Sequence, residues 1–135
     1  MKKEALLERL VDFLDLSRTI IRHEIQVHQL QMLLAIAAKP GMIAKEIRER
    51  LDITGGMLTR NAKALGTYYT KDENGNEQKH GLGLLYFKPG KFNMKANEYY
   101  VTEKGEKVVN EFLQKLSDFV EHVKNSKHLT DLKGG

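Results

Sequence analysis

The stretch that decides the fold of this chain runs from Met42 to Leu65 and reads MIAKEIRERLDITGGMLTRNAKAL. It holds two apolar repeats of four-residue spacing, and each repeat lies on one face of a helix. In the corner between them, Asp52 tolerates left-handed backbone and Thr54 suits a helix N-cap. Two such helices form a helix-turn-helix or a plain helical hairpin within an all-α core. The repeats are Ile43, Ile47 and Leu51, then Leu58, Ala62 and Leu65.

Length and charge narrow the class of protein. A chain of 135 residues without cysteine fits a single domain, 1–135, and excludes disulfides and thiolate metal sites. Without an apolar run typical of a signal peptide or a membrane span, we expect a cytoplasmic protein with no membrane partner. The net charge of +4 is localised, with six basic and three acidic residues in 39–66 and the same numbers in 79–107. This placement favours a polyanionic partner.

The segments 1–38 and 103–124 are predicted to be helical and to carry a subunit contact. The first helix, 3–23, has an apolar face wider than one packing seam requires. It has either two neighbours in its own domain or one neighbour and a second subunit, and the small domain favours the subunit. The predicted homodimer interface contains Leu7, Leu10, Leu14 and Ile21 from the N-terminal helix, and Phe112, Leu116, Phe119 and Val123 from the C-terminal helix.

Residues 82–102 predict a β hairpin with strands at 82–88 and 97–102, rich in Tyr, Phe and Val. Behind a helix-turn-helix (42–66), such a hairpin is either a wing whose lysines reach DNA or a cover for the core whose lysines keep its edge soluble. Thr102 is placed to cap the last helix. The acidic segment 67–81 is either a loop or a small hairpin turning at Asn74-Gly75.

No catalytic or metal-binding pattern is found in the sequence. His23 and His28 lie five residues apart, whereas the zinc-protease helix needs a spacing of four to place both on one face. The serines lie in helix faces or the tail, without the glycine elbow of a nucleophile. We therefore expect no enzyme, no cofactor and no metal site.

Two strings resemble the MarR family of winged-helix transcription regulators. KPGMIAKEIRERLDITGGMLTRNAKALG, residues 39–66, is similar to the family's Pro-Gly corner, first helix and recognition helix. YYVTEKGEKVV, residues 99–109, is similar to the start of the family's helix after the wing. The resemblance implies a mainly α fold with a small β hairpin, a winged helix-turn-helix joined as a homodimer through long terminal helices. It also implies a double-stranded DNA operator and, in many members, repression relieved by a small-molecule effector, here unknown.

The resemblance also assigns DNA contacts. Arg60 is expected to contact the edge of a base, since a guanidinium can form two hydrogen bonds to guanine. Lys63 is expected to contact a phosphate. The set on the recognition helix is Thr54, Gly56, Met57, Thr59, Arg60 and Lys63. The wing lacks the family's Asp-x-Arg sequence, so the contacts expected there come from its own polar residues, Lys88, Lys91, Asn93 and Lys95.

Some positions depart from the family pattern. Ile43 stands where the family has a capping Ser or Thr, and Asp52 stands in place of a corner glycine. Arg48 replaces a small alanine, so a wider crossing of the two helices is expected. The segment 67–81 has the position of an insertion before the wing.

These observations predict a homodimeric DNA-binding transcription regulator, with repression as the expected direction. The alternative is a winged-helix module that binds protein as an assembly adaptor, served by the apolar terminal helices and the aromatic residues around the wing. Steep salt dependence of duplex binding separates the two, because phosphate contacts release counterions.

Overall fold

The computed structural model describes residues 3–22, 24–91, 94 and 96–125, and these form five helices and five short strands. The mainly α fold with a small β component is confirmed. The helices are α1 (Lys3–Ile20), α2 (Val27–Ala38), α3 (Ala44–Leu51), α4 (Gly55–Leu65) and α5 (Glu103–Lys124). The strands are β1 (Met42–Ile43), β2 (Tyr68–Lys71), β3 (Glu77–His80), β4 (Leu85–Pro89) and β5 (Asn97–Val101).

Internal contacts divide the chain into two compact units. One consists of residues 1–25 and 110–135, and within it Phe13 of α1 stacks on Phe119 of α5 with ring centroids 5.8 Å apart. The other consists of residues 26–109 and contains the helix-turn-helix and all five strands.

The core of the second unit is built around α2. Met32, Leu33 and Ile36 are completely buried there, as are Ile47 of α3 and Leu65 of α4. Apolar residues three and four positions apart lie on one side of a helix, so these side chains form a common interior. Each apolar repeat read from the sequence therefore contributes to this core.

A three-stranded sheet, in the order β1-β5-β4, replaces the two-stranded hairpin predicted from the sequence. Met42 pairs with Tyr99 and Ile43 with Glu98, so Ile43 is not the first residue of a helix, as its repeat suggested. It is the N-cap of α3, the position that the resemblance gave it, with extended backbone. At 42–43, strand pairing prevails over the helical spacing of the apolar residues. The reason is that the first N–H groups of a helix have no partner within it, whereas pairing with a strand supplies partners for the backbone.

The first strand of the predicted wing also begins later than expected, at Leu85 instead of position 82. The reason is visible in the backbone bonds of the preceding residues. The amides of Leu82, Gly83 and Leu84 donate to the carbonyls of Ala64, Gly66 and Leu65, at 2.7–3.0 Å. The segment 82–84 is thus bound to the end of α4 and does not join the sheet.

Residues 68–80 form a second, separate hairpin from β2 and β3, which decides between the loop and the hairpin left open by the sequence. Its turn contains Asn74-Gly75, as predicted, with Gly75 at a φ of +79°. One carboxylate oxygen of Asp72 accepts the backbone amides of Asn74 and Asn76, at 2.9 and 2.8 Å. This Asx arrangement closes the turn.

The Thr-Glu-Lys-Gly string at 102–105 fixes the start of α5 on the segment 82–84. The Thr102 hydroxyl accepts the Gly105 amide at 3.0 Å, as an N-cap should, and donates to the Gly83 carbonyl at 2.6 Å. The Lys104 ammonium donates to the Leu82 carbonyl at 2.8 Å. At Gly105 a Cβ would overlap the Leu84 carbonyl oxygen, so only glycine allows this approach.

Candidate nucleic-acid interface

Helices α3 and α4 are joined by a tight corner that the local sequence determines. Helix α3 ends at Asp52, which adopts left-handed backbone with φ +53°. Asp tolerates this region better than most residues, so it can serve where glycine is more usual. At Thr54 the side-chain oxygen accepts the Met57 amide at 3.1 Å and starts α4. The helix-turn-helix is thus set by its own short polar residues.

The missing Ser or Thr cap of α3 is compensated by Glu46. Its carboxylate accepts the Ile43 amide at 3.2 Å and the Lys39 ammonium at 3.3 Å. The hydrogen bond from the Ile43 backbone, followed by that from Lys39, lowers the pKa of Glu46 below its ordinary value. An acid in the first turn also suits the positive end of the helix dipole.

Helix α4 has one buried and one exposed face. Leu58, Asn61 and Leu65 are buried against the core. Met57 is half-buried and the Thr59 hydroxyl donates to the Gly55 carbonyl at 3.0 Å within the helix. The exposed residues of the set predicted to contact DNA form one stripe, the reading stripe: Gly56, Thr59, Arg60 and Lys63, with Thr54 exposed at the helix start.

Arg48 lies beside a glycine of the neighbouring helix. A Cβ on Gly55 would lie 3.8 Å from Arg48 Cζ, in ordinary contact. The guanidinium therefore lies over the first residue of α4. A Cβ at position 55 would thus also fit beside Arg48.

Asn61 was not anticipated from the sequence. It is 1% exposed, and its amide Nδ2 lies 2.9 Å from Nδ1 of His28 in α2. Because an amide nitrogen only donates, His28 accepts at Nδ1. The signal was present, since position 61 lies between the apolar positions 58 and 65 at helical spacing. The pairing thus joins α4 to α2.

Lys63 has an aromatic neighbour at the C-terminal end of α4. Its Nζ lies 5.5 Å from the centroid of the Tyr68 ring, and that ring stacks on His80 at 5.0 Å. A cation over an aromatic face is weakly attracted to it. The hairpin β2–β3 is therefore in contact with the reading stripe.

The predicted wing carries exposed lysines on β4 and just after it. Lys88 Nζ lies 4.6 Å from the centroid of the Tyr100 ring, and the Lys91 amide donates to Glu98 at 3.4 Å. The Tyr100 hydroxyl donates to the same Glu98 carboxylate at 2.8 Å, which raises the pKa of Tyr100. Asn93 and Lys95 lie outside the described residues.

Most residues predicted to form a subunit interface leave apolar surface exposed. Leu7, Leu10 and Leu14 of α1 are 51%, 40% and 58% exposed, and Leu116 of α5 is 43% exposed. Ile21, Phe119 and Val123 are half-buried. Phe112 differs, because only 6% of it is exposed and it packs within its own chain. Its part in a subunit contact stays a prediction.

Other kinds of site are sparse in the described parts of the chain. No three His, Asp or Glu side chains come together there as metal ligands would. Among the described helices, none is long and apolar enough to cross a membrane. A groove of about 570 Å³ runs between α1 and α5 and is lined by aromatic residues, Phe13 and Phe119, and by charged residues such as Arg9 and Asp118.

Comparison with solved structures identifies the fold. No known family model and no curated protein matches the sequence. The S. aureus MepR–DNA complex has a TM-score of 0.72 and 16% identity, covering 97% of this chain and 94% of MepR. CouR, a transcriptional repressor bound to a 23-mer DNA duplex, has a TM-score of 0.58 and 17% identity, covering 98% and 82%. The transcriptional regulator PcaV from Streptomyces coelicolor, in complex with its natural ligand, has a TM-score of 0.56 and 18% identity, covering 98% and 86%. The chain thus has the winged-helix fold shared with MarR and these transcription regulators.

Proposed function

We propose that this chain binds double-stranded DNA in a sequence-specific manner as a homodimer and regulates transcription, with repression as the expected direction. The observation that carries the proposal is the reading stripe of α4. It combines an exposed guanidinium, an exposed ammonium and a glycine surface at the start of the helix. Helix N-termini with these groups approach bases and phosphates in the major groove.

The solved relatives in fold support DNA as the polyanion. MepR and CouR are both seen with DNA. In this chain, Arg60 would contact a base edge, while Lys63, Lys88 and Lys91 would contact phosphates. In a dimer, two such helices would address major-groove faces about 34 Å apart, one helical turn of DNA.

The experiment begins with selection of bound duplexes from a random pool, followed by titration of the selected operator. Arg60→Ala is expected to lower operator affinity by about 1–3 kcal/mol and to relax the base preference at one position in each half-site. The reason is the loss of two hydrogen bonds to one base. Water that fills the space left by the arginine does not discriminate between bases in the same way.

Arg50→Ala is the matched control, because Arg50 is an exposed arginine of α3 outside the reading stripe. Both variants remove one positive charge, so both are expected to weaken binding to all sequences through the loss of charge. Only Arg60→Ala should reduce the ratio of operator to scrambled-duplex affinity. An unchanged ratio in Arg60→Ala would remove α4 from base recognition. Failure of the wild-type chain to bind any duplex, even at low salt, would favour the adaptor alternative.

A further inference from the structure

The hairpin β2–β3 has two chemically different faces. Successive residues of a strand point to opposite sides, and residues opposite each other in a pair share a side. The register therefore groups Tyr68, Thr70, Gln78 and His80 on one face, which we call the donor face, and Tyr69, Lys71, Glu77 and Lys79 on the other. Thr70 Oγ1 lies 2.7 Å from His80 Nε2, which agrees with this grouping.

Within β2 and β3, the one acidic side chain lies off the donor face. Asp72 is engaged in the turn by the amides of Asn74 and Asn76. Glu77 lies on the opposite face, directly across from Lys71, and Glu73 lies in the turn. The donor face itself carries only hydroxyl, amide and imidazole groups. Neither strand of the hairpin therefore adds a carboxylate to this face.

The donor face is continuous with the reading stripe. Lys63, the last residue of the stripe, has its ammonium 5.5 Å from the Tyr68 ring centroid. The base of the hairpin is fixed by backbone bonds from Gly83 and Leu84 to Gly66 and Leu65, at 2.9 and 2.7 Å. The hairpin therefore leaves α4 in a defined direction with its donor face beside Lys63.

We propose that the donor face is a second contact surface for the duplex bound by α4, and that it binds the sugar-phosphate backbone just beyond the end of the recognition helix. Uncharged side chains of Thr, Gln and Tyr are common phosphate partners, and such contacts fix register without reading sequence. Continuity with the reading stripe makes DNA the occupant of this surface. The inference rests on the DNA binding proposed above.

The test compares two variants that add the same negative charge to opposite faces of the hairpin. Gln78→Glu places a carboxylate on the donor face, opposite neutral Thr70. Tyr69→Glu places it on the other face, opposite Lys79, at a side chain already 58% exposed. Both positions are exposed, so both variants should fold, and far-ultraviolet circular dichroism with thermal melting checks this. Their affinities for the selected operator are measured by titration at several salt concentrations.

Gln78→Glu is expected to weaken operator binding about tenfold, because its carboxylate would meet a phosphate at short range. Tyr69→Glu should weaken it by no more than about threefold, since its charge lies farther from the DNA and is screened. Hydroxyl-radical footprinting should show backbone protection just outside the recognition-helix half-site for the wild type and Tyr69→Glu, and its loss in Gln78→Glu.

Two results would overturn the inference in different ways. Equal affinities and equal footprints for the two variants, with Arg60→Ala still impaired, would remove the hairpin from the DNA interface and leave the proposed function standing. A wild-type chain that binds no duplex would overturn the proposed function and this inference together.

Discussion

At the scale of single residues, the most consequential side chain on α4 besides those of the reading stripe is Asn61. A fully buried amide is costly unless it is paired, and here its partner is the imidazole of His28. The bond has a defined length and direction, unlike the apolar contacts around it. It therefore fixes the rotation of α4 about its axis. This rotation sets the direction in which the Arg60 side chain points.

Replacing Asn61 with Leu is expected to reduce the free energy of unfolding by about 1–3 kcal/mol. Leucine has a similar volume, so the packing changes little. The main effect is that Nδ1 of the half-buried His28 loses its hydrogen-bond partner. Urea denaturation of the single variants and of Asn61→Leu with His28→Leu measures the coupling. The double variant should be less destabilised than the sum of the singles by about 1 kcal/mol, because it leaves no polar atom unpaired. Strict additivity would show that the two side chains do not depend on each other.

Residues whose role depends on near neighbours in the sequence were predicted, and those whose role depends on distant neighbours were not. Asp52 adopts left-handed backbone at the end of its own helix, and Thr54 and Thr102 each accept the amide three positions later, so residue type and spacing are sufficient to identify these roles. Asn61 meets a residue 33 positions away. Phe112 has helical spacing with exposed Leu116, and only the packed chain distinguishes the buried side chain from the exposed one.

At the scale of elements, the helices depend on near neighbours in the sequence and the strands on distant ones. The periodicity that marked the five helical segments is local, whereas β1 exists only because Met42 and Ile43 meet β5 more than fifty positions later. The two-residue strand has no pattern of its own. The hairpin β2–β3 was ambiguous because its strands are polar on both faces, so no apolar alternation marks them. Of the proposed DNA surface, α4 was thus predictable and the donor face was not.

The attachment of the hairpin β2–β3 depends on close backbone approach at Gly81. A Cβ there would overlap the Gly66 carbonyl oxygen, and the backbone has a φ of +93°. Gly75 in the turn also has a positive φ, +79°, but a Cβ at that position would have no other atom within 4 Å. The two glycines share the conformational requirement and differ in the space available.

Alanine substitution at the two positions should therefore have unequal effects. Gly75→Ala is expected to lower the free energy of unfolding by about 1–2 kcal/mol through left-handed strain alone. Gly81→Ala should cost about 1–3 kcal/mol more, because the backbone must also shift to relieve the overlap. Thermal and urea denaturation measure both values, and near-equal values would contradict the close approach.

At the scale of the whole molecule, the unit formed by α1 and the C-terminal part of α5 leaves a large apolar surface in contact with solvent. Exposed apolar side chains on a single chain are common, but a contiguous group at helical spacing marks an interaction surface. Along α1 this group comprises Leu7, Leu10, Val11 and Leu14, and along α5 it comprises Leu113, Leu116 and Val120. A homodimer through these helices, as proposed, would remove the surface from water.

The variant Leu7→Glu with Leu14→Glu tests the homodimer. Both side chains are more than half exposed, so the single chain loses little internal packing, and charge placed in an apolar interface opposes association. Sedimentation equilibrium should give the wild type twice the 15.5 kDa mass of one chain and the variant a single mass. Val27→Glu, at an exposed valine of α2, adds one such charge outside the group and should leave the mass of the dimer unchanged.

In the proposed homodimer, subunit association and operator affinity are linked by geometry. When one recognition helix of a dimer has bound its half-site, the second helix binds the other half-site intramolecularly. The effective concentration of the second helix is then far higher than the concentration of a free chain. The monomeric variant should therefore bind the full operator with about the affinity of a single half-site, while its reading stripe remains intact. If the variant is monomeric and still binds the full operator as tightly as the wild type, the symmetric two-helix arrangement is wrong even though α4 contacts DNA.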